Sequence, residues 1–131
     1  MSNEPRKGLS LYGLKNCDTC KAAQHWLRSR EIPFEFHDVR ADRLSPDLLS
    51  DWLKSEYGPN IVNRRSATWR KLSEAEKRSV ETDPVALLLA NPTLMKRPVF
   101  ILGGEVLEVG FSPADLKDKL RGNPDCPEFL T

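Results

Sequence analysis

Apolar positions change period along the chain, and the order of those changes predicts an α/β fold. Leu9 to Tyr12 is a short apolar run closed by Gly13 and reads as a buried strand. After Asn16-Cys17-Asp18-Thr19 the period lengthens. Cys20, Ala23, Trp26 and Leu27, with Ala22 alongside, fall on one stripe of a helix running to about Arg30. Asn16, Asp18 and Thr19 all suit a helix start, and Pro33 lies just beyond its end. Phe34 to Val39, rich in aromatic and β-branched residues, reads as a second strand. Strand, helix and strand within about thirty residues make a βαβ unit, so the two strands should be parallel.

The middle of the chain reads as helical. Ser45-Pro46 gives an N-cap with proline at the first helical position, and Leu48, Leu49, Trp52 and Leu53 supply the apolar stripe. Gly58-Pro59 is expected to end that helix. Ser73-Glu74-Ala75-Glu76 is a capping box, and Asp83-Pro84 opens a short apolar helix that stops before Pro92. The end of the chain returns to sheet. Val99 to Leu102 and Val106 to Val109 flank Gly103-Gly104-Glu105, a hairpin signal, so these strands should be antiparallel. Ser112-Pro113 then starts a last helix with Leu116 and Leu120 on its inner side. The order β-α-β, helical block, β-β-α packs most economically as a four-stranded mixed sheet with helices on its faces. That is a thioredoxin-like fold. One domain is expected over residues 8–121, with a helical insertion at about 45–92 and terminal tails at 1–7 and 122–131. The last tail, with Cys126 and two prolines, is expected to be loosely held.

Composition narrows the function classes. A chain of 131 residues has room for one ordinary domain. Its 20 Lys+Arg against 19 Asp+Glu leave a net charge of +1, which argues against direct nucleic-acid binding or membrane binding by bulk charge. The longest apolar run, Val85 to Ala90, is far too short for a membrane span, and residues 1–7 lack the apolar core of a signal peptide. A cytoplasmic protein is expected, and a monomer. Three cysteines, Cys17, Cys20 and Cys126, are too few and odd in number for a secreted disulfide framework.

Cys17-Asp18-Thr19-Cys20 is a C-x-x-C motif at the turn from the first strand into the first helix. A sulfur there faces backbone N–H groups without helical partners and the positive end of the helix dipole, both of which favour thiolate. Cys17 comes first and should be the more exposed nucleophile. Cys20 opens the inward stripe and should be the more buried, placed to attack a mixed disulfide on Cys17. Lys21 adds a nearby positive charge. The competing readings are a zinc site, for which Cys126, His25 and His37 show no paired ligand spacing, two inert thiols, and a structural disulfide, which the expected reducing compartment disfavours. Redox chemistry leads.

Two further signals stand beside the cysteines. Lys96-Arg97-Pro98 precedes the third strand, where thioredoxin-fold proteins place a cis-proline next to the active cysteine, so a cis Arg97–Pro98 bond is expected. Basic pairs occur at Arg64-Arg65, Arg70-Lys71 and Lys96-Arg97. Arginine forks suit carboxylates, phosphates and other oxyanions, although Arg70-Lys71 reads as an ordinary solvated helix face. His25 and His37 read as structural.

These residues resemble a known family. Leu11-Tyr12-Gly13-Leu14-Lys15-Asn16-Cys17-Asp18-Thr19-Cys20-Lys21, the Trp26-Leu27 helix and Ile32-Pro33-Phe34 are similar to the opening of the arsenate reductase (ArsC)/Spx family. Asn63-Arg64-Arg65-Ser66-Ala67-Thr68-Trp69-Arg70-Lys71-Leu72 resembles its middle motif, and Lys96-Arg97-Pro98-Val99 its Arg-Pro strand entry. The resemblance runs from about Leu9 to Leu120, nearest to the YffB-like branch, which is described as ArsC-related and glutathione-dependent.

The resemblance implies a thiol-disulfide oxidoreductase with catalytic Cys17 and Cys20 forming a redox disulfide. It implies substrate binding by Lys21, Arg65, Arg97 and Pro98, with glutathione as co-substrate, no tightly bound cofactor and no metal. In arsenate reductases of this type one cysteine attacks arsenate, glutathione with glutaredoxin resolves the adduct, and three arginines hold the oxyanion. Cys17 matches the nucleophile, Arg65 (or its neighbour Arg64) the first arginine, and Arg97 the second. Where the third is expected the chain reads Val109-Gly110-Phe111. Arsenate turnover is therefore disfavoured, and a glutaredoxin-coupled arsenate reductase stands as one alternative. The Spx branch implies an alternative, a redox-sensing regulator that binds RNA polymerase. Thr68-Trp69-Arg70 fits the reductase branch better.

Overall fold

The element order in a computed structural model of the chain, which describes residues 8–42 and 44–121, follows the apolar pattern closely. It divides into two units, one of residues 8–38 and 97–121, the other of Val39–Lys96.

The first unit holds the sheet. β1 (Leu9–Gly13), α1 (Asp18–Ser29) and β2 (Phe34–Asp38) form the βαβ half; β3 (Val99–Leu102), β4 (Glu105–Val109) and α7 (Pro113–Arg121) form the other. The strand order is β2-β1-β3-β4. β1 runs parallel to β2 and antiparallel to β3, and β3 runs antiparallel to β4. This is the mixed four-stranded, thioredoxin-like sheet the sequence predicts. Leu102 pairs with Glu105, so Gly103 and Gly104 alone make the hairpin turn. Both take positive φ (61° and 85°), as a two-residue turn of this twist requires.

Alternation sends Leu9, Leu11, Phe100 and Leu102 to one face of the sheet, where they pack with Ala23 and Leu27 of α1 and Leu116 and Leu120 of α7. Each fully buried leucine contributes about 1.5–3 kcal/mol, so this layer holds α1 and α7 against the sheet. Ala22, expected beside the stripe, is exposed. It lies two residues from Cys20, about 200° around the helix, whereas Cys20, Ala23 and Leu27 follow the i, i+3, i+7 spacing. Trp26 is half-buried and meets Phe111 edge-on, with ring centroids 6.1 Å apart. β2 stops one residue short of the expected Val39.

The second unit contains α2 (Pro46–Lys54), α3 (Gly58–Ile61), α4 (Ala67–Lys71), α5 (Glu74–Arg78) and α6 (Pro84–Ala90). Ser45, Ser66, Ser73 and Asp83 cap four of these through their side chains, and Ser73 with Glu76 forms the complete capping box. Gly58-Pro59 does not end α2, as expected, but opens α3. The reason lies at Ser55. Its hydroxyl donates to the Trp52 carbonyl at 2.6 Å and accepts the Tyr57 N–H at 3.2 Å, so the chain turns earlier and Pro59 is free to start a new helix. The unit closes on itself where Lys96 donates to the Ile61 carbonyl at 2.7 Å and Asn63 to that of Leu94 at 2.9 Å. Among the described residues no helix is long and apolar enough to cross a membrane. The tails and Cys126 lie outside the described residues.

Candidate active site

Strand register brings three segments of the first unit to one end of the sheet. Tyr12 pairs with Val99 at the start of β3, and Gly13 pairs with Asp38 at the end of β2. The turn leaving β1, the last residue of β2 and the Arg97-Pro98 entry to β3 therefore meet beside the start of α1.

Cys17 is the N-cap of α1, with extended backbone (φ −108°, ψ 120°). Its carbonyl accepts the Lys21 N–H at 2.9 Å, and its own N–H donates to the Leu14 carbonyl at 3.3 Å. The polar residues expected to start the helix, Asn16, Asp18 and Thr19, do not occupy the cap; the cysteine does, without a conventional side-chain capping bond. Its sulfur consequently sits among first-turn N–H groups that have no helical partner. The preceding turn is fixed from the side, because the Lys15 N–H donates to Asp38 Oδ2 at 2.9 Å. Asp38 is buried at the end of β2. Both thiols are free, Cys17 half-buried and Cys20 fully buried, as the order of the motif predicts.

Their surroundings split the two thiols in acidity. Burial pushes the Cys17 thiol up, but the Cys20 backbone N–H, the Cys20 side chain and the Arg97 guanidinium outweigh it, and the thiol ends below its ordinary value. Arg97 acts twice, as a hydrogen-bond donor and as a charge. For Cys20, burial dominates. The Leu14 backbone N–H and the Arg97 charge oppose it only partly, the neighbouring Cys17 adds to it, and the thiol is pushed up to about 12. The pair thus releases its first proton at Cys17 and keeps the second on Cys20. The cation that acts on the Cys17 sulfur is Arg97 rather than the expected Lys21, which stands exposed on α1.

The Arg97–Pro98 bond is cis, as expected. Arg97 is half-buried and Pro98 buried. Arg65 lies in the second unit, exposed, its N–H donating to Asn63 Oδ1 at 3.0 Å and its carbonyl accepting from Arg70 at 3.1 Å. Arg64 lies over the Trp69 ring at 4.9 Å and 3.8 Å from Glu81. His25 is exposed. His37 stacks on Tyr12 with ring centroids 4.6 Å apart and meets Glu35 at 3.3 Å. Among the described residues no group of three or more His, Cys, Asp or Glu side chains is arranged to hold a metal ion.

A cysteine pair split in this way, at a helix start and beside an Arg-cis-Pro strand entry, carries the features on which the resemblance rested. The ArsC family model matches residues 12–118. The chain belongs to the ArsC family. A solved structure named YffB protein is 39% identical, with a TM-score of 0.74 over 81% of this chain and 93% of that one. A solution structure of an arsenate reductase (ArsC) related protein from Brucella melitensis is 35% identical, with a TM-score of 0.68 over 88% and 97%. Among curated proteins, the global transcriptional regulator Spx of Streptococcus pyogenes is 30% identical over 83% of this chain and 82% of its own length. ArsC-family membership and the thioredoxin-like fold agree with the motif reading; the relatives include both reductase-related proteins and a regulator.

Sequence reasoning missed two residues that shape this candidate site. Asp38 was read simply as part of the second strand, although a carboxylate at its inner end, beside Val39, is a signal that something polar must meet it once it is buried. Gly13 was read as a strand terminator. Its backbone is extended, and a Cβ added there would overlap the Cys20 sulfur.

Proposed function

We propose that this ArsC-family protein is a cytoplasmic, monomeric thiol-disulfide oxidoreductase that works with glutathione, with Cys17 as nucleophile and Cys20 as resolving thiol. One arrangement carries the reading: Cys17 stands half-buried at the start of α1 with Cys20 fully buried one turn on, and these surroundings, with Arg97, lower the first thiol and raise the second. That split suits a pair in which one thiol attacks and the other waits protonated.

The Cys17 thiolate attacks one sulfur of a substrate disulfide, forms a new S–S bond to it and expels the other sulfur as a thiolate. Cys20 then gives its proton to solvent and attacks the Cys17 sulfur. The second substrate thiolate leaves, and a Cys17–Cys20 disulfide forms. Two glutathione molecules return the pair to thiols and leave as glutathione disulfide. Arg97 holds the attacking sulfur as an anion and offers its fork to a carboxylate of glutathione. Pro98 and Lys21 complete the proposed substrate contacts of this unit, and the family motif adds Arg65 as a proposed substrate-binding residue. Glutaredoxin is a candidate electron donor.

Arsenate suits the site less well. The place of a third arginine is taken by Gly110, and one lost charge-assisted contact is worth about 1.5–3 kcal/mol. The similarity to Spx supports a second reading, a redox switch on RNA polymerase through the same cysteine pair. The test is mass spectrometry of the purified protein after exposure to glutathione disulfide. A glutathione adduct on Cys17, or a Cys17–Cys20 disulfide arising from it, is expected. Modification of Cys126 alone would defeat the proposal, and co-purification of RNA polymerase would favour the switch.

A further inference from the structure

Gly13 ends β1 in backbone that any residue adopts, since the described glycines with positive φ are Gly103, Gly104 and Gly110. Glycine inside a strand weakens it and marks a place where another group approaches closely. Here that group is a single atom. A side-chain carbon added at Gly13 would overlap the Cys20 sulfur, while the Cys20 Cβ and Phe36 Cε1 would both stand at an ordinary 3.6 Å.

We propose that Gly13 is a positioning residue: its missing side chain is the socket that seats the Cys20 sulfur, and this seat holds the Cys20 thiol toward Cys17. The inference rests on the oxidoreductase reading for its purpose, but its geometry stands apart from it. Retreat of the helix instead of the sulfur is opposed by packing. Ala23 and Leu27 anchor α1 in the buried layer against Leu9, Leu11 and Phe100. A methyl group at position 13 must therefore turn the Cys20 sulfur out of its seat. Two contacts go with it, the Leu14 N–H that faces this sulfur and the hydrogen bond from the Cys20 thiol to Cys17. The other groups acting on Cys17, the Cys20 backbone N–H and the Arg97 guanidinium, are untouched. Asp18 and Lys21 on the same helix are exposed.

The experiment is a cycle of full-length Gly13→Ala, Cys20→Ala and the double variant. Cys17 alkylation by iodoacetamide is followed against pH by site-resolved mass spectrometry, beside thermal unfolding. Gly13→Ala should shift the Cys17 titration upward, toward that of Cys20→Ala, and slow its alkylation at pH 7 by about two- to tenfold, the effect of one hydrogen bond. Removing the sulfur empties the socket, so the double variant should unfold at a higher temperature than Gly13→Ala alone. An unmoved Cys17 titration in Gly13→Ala overturns the proposal, as does a double variant no more stable than Gly13→Ala. If Gly13→Ala fails to fold, a folded double variant supports the proposal and an unfolded one overturns it. The reading of function fails separately, by wild-type Cys17 taking no glutathione.

Discussion

Gly110 donates its backbone N–H to the carbonyl oxygen of Pro98 at 2.8 Å, tying the turn after the hairpin to the residue just before β3. Gly110 is buried and lies in left-handed backbone at φ 85°. The turn where the resemblance to arsenate reductases implies a third arginine is thus built around a residue with no side chain.

The first prediction follows from that bond. Gly110→Arg places a Cβ where left-handed backbone costs about 1–2 kcal/mol. The variant should unfold at a lower temperature than wild type and should not gain arsenate reduction when glutathione and glutaredoxin are supplied. Wild type should show no such turnover either. Robust arsenate turnover by wild type would overturn the ranking of substrates.

The cysteine pair gives stability two opposite dependences on pH. Cys20 has its folded value raised from 9.0 to about 12, so folding favours its neutral form. That contribution is present below pH 9 and is lost as pH rises from 9 toward 12. Cys17 is lowered, so its contribution is present above pH 9 and is lost as pH falls through its folded value. Denaturant unfolding of wild type and Cys20→Ala at several pH values checks the first sign. Wild type should lose stability more steeply above pH 9, and parallel curves would count against a buried, protonated Cys20.

Asp38 supports a third expectation. Its carboxylate receives the Lys15 N–H at 2.9 Å and so shapes the turn that delivers Cys17. Asp38→Ala should cost about 1.5–3 kcal/mol, the range for a hydrogen bond to a charged group, and should slow Cys17 alkylation. Asp38→Asn keeps an acceptor in place and should recover most of both. Equal losses in the two variants would mean that the charge itself, rather than the hydrogen bond, holds the turn.

Much of this was legible in the sequence because its signals are local. The Leu9–Tyr12 run, the 20-23-27 stripe, the Ser73 capping box and the Gly103-Gly104 turn each carry their instruction within a few residues. The helix start at Cys17 was legible as a region, while the capping residue was not, since three polar neighbours looked better suited to it. Asp38 and Gly13 were opaque for another reason. Their roles depend on register between β1 and β2 and on how close α1 packs, neither of which a single segment specifies. The charge beside Cys17 was assigned to Lys21, its neighbour along the helix, when the strand pairing of Tyr12 with Val99 brings Arg97 there instead.

Arg97 supplies the last prediction, because it is asked both to hold the Cys17 thiolate and to meet the incoming anion. Arg97→Ala removes a charge-assisted hydrogen bond of about 1.5–3 kcal/mol from the sulfur, so mixed-disulfide formation with glutathione disulfide at pH 7 should slow by about tenfold or more. Part of that loss should return at alkaline pH, where Cys17 ionises without help. Arg97→Lys restores charge without the planar fork, so it should recover the alkylation rate with a neutral reagent better than the rate with glutathione disulfide. Stopped-flow rates for both reagents across pH separate these effects. If Arg97→Ala reacts with glutathione disulfide as fast as wild type, the guanidinium serves neither role, and the lowering of Cys17 must come from the helix start and Cys20 alone.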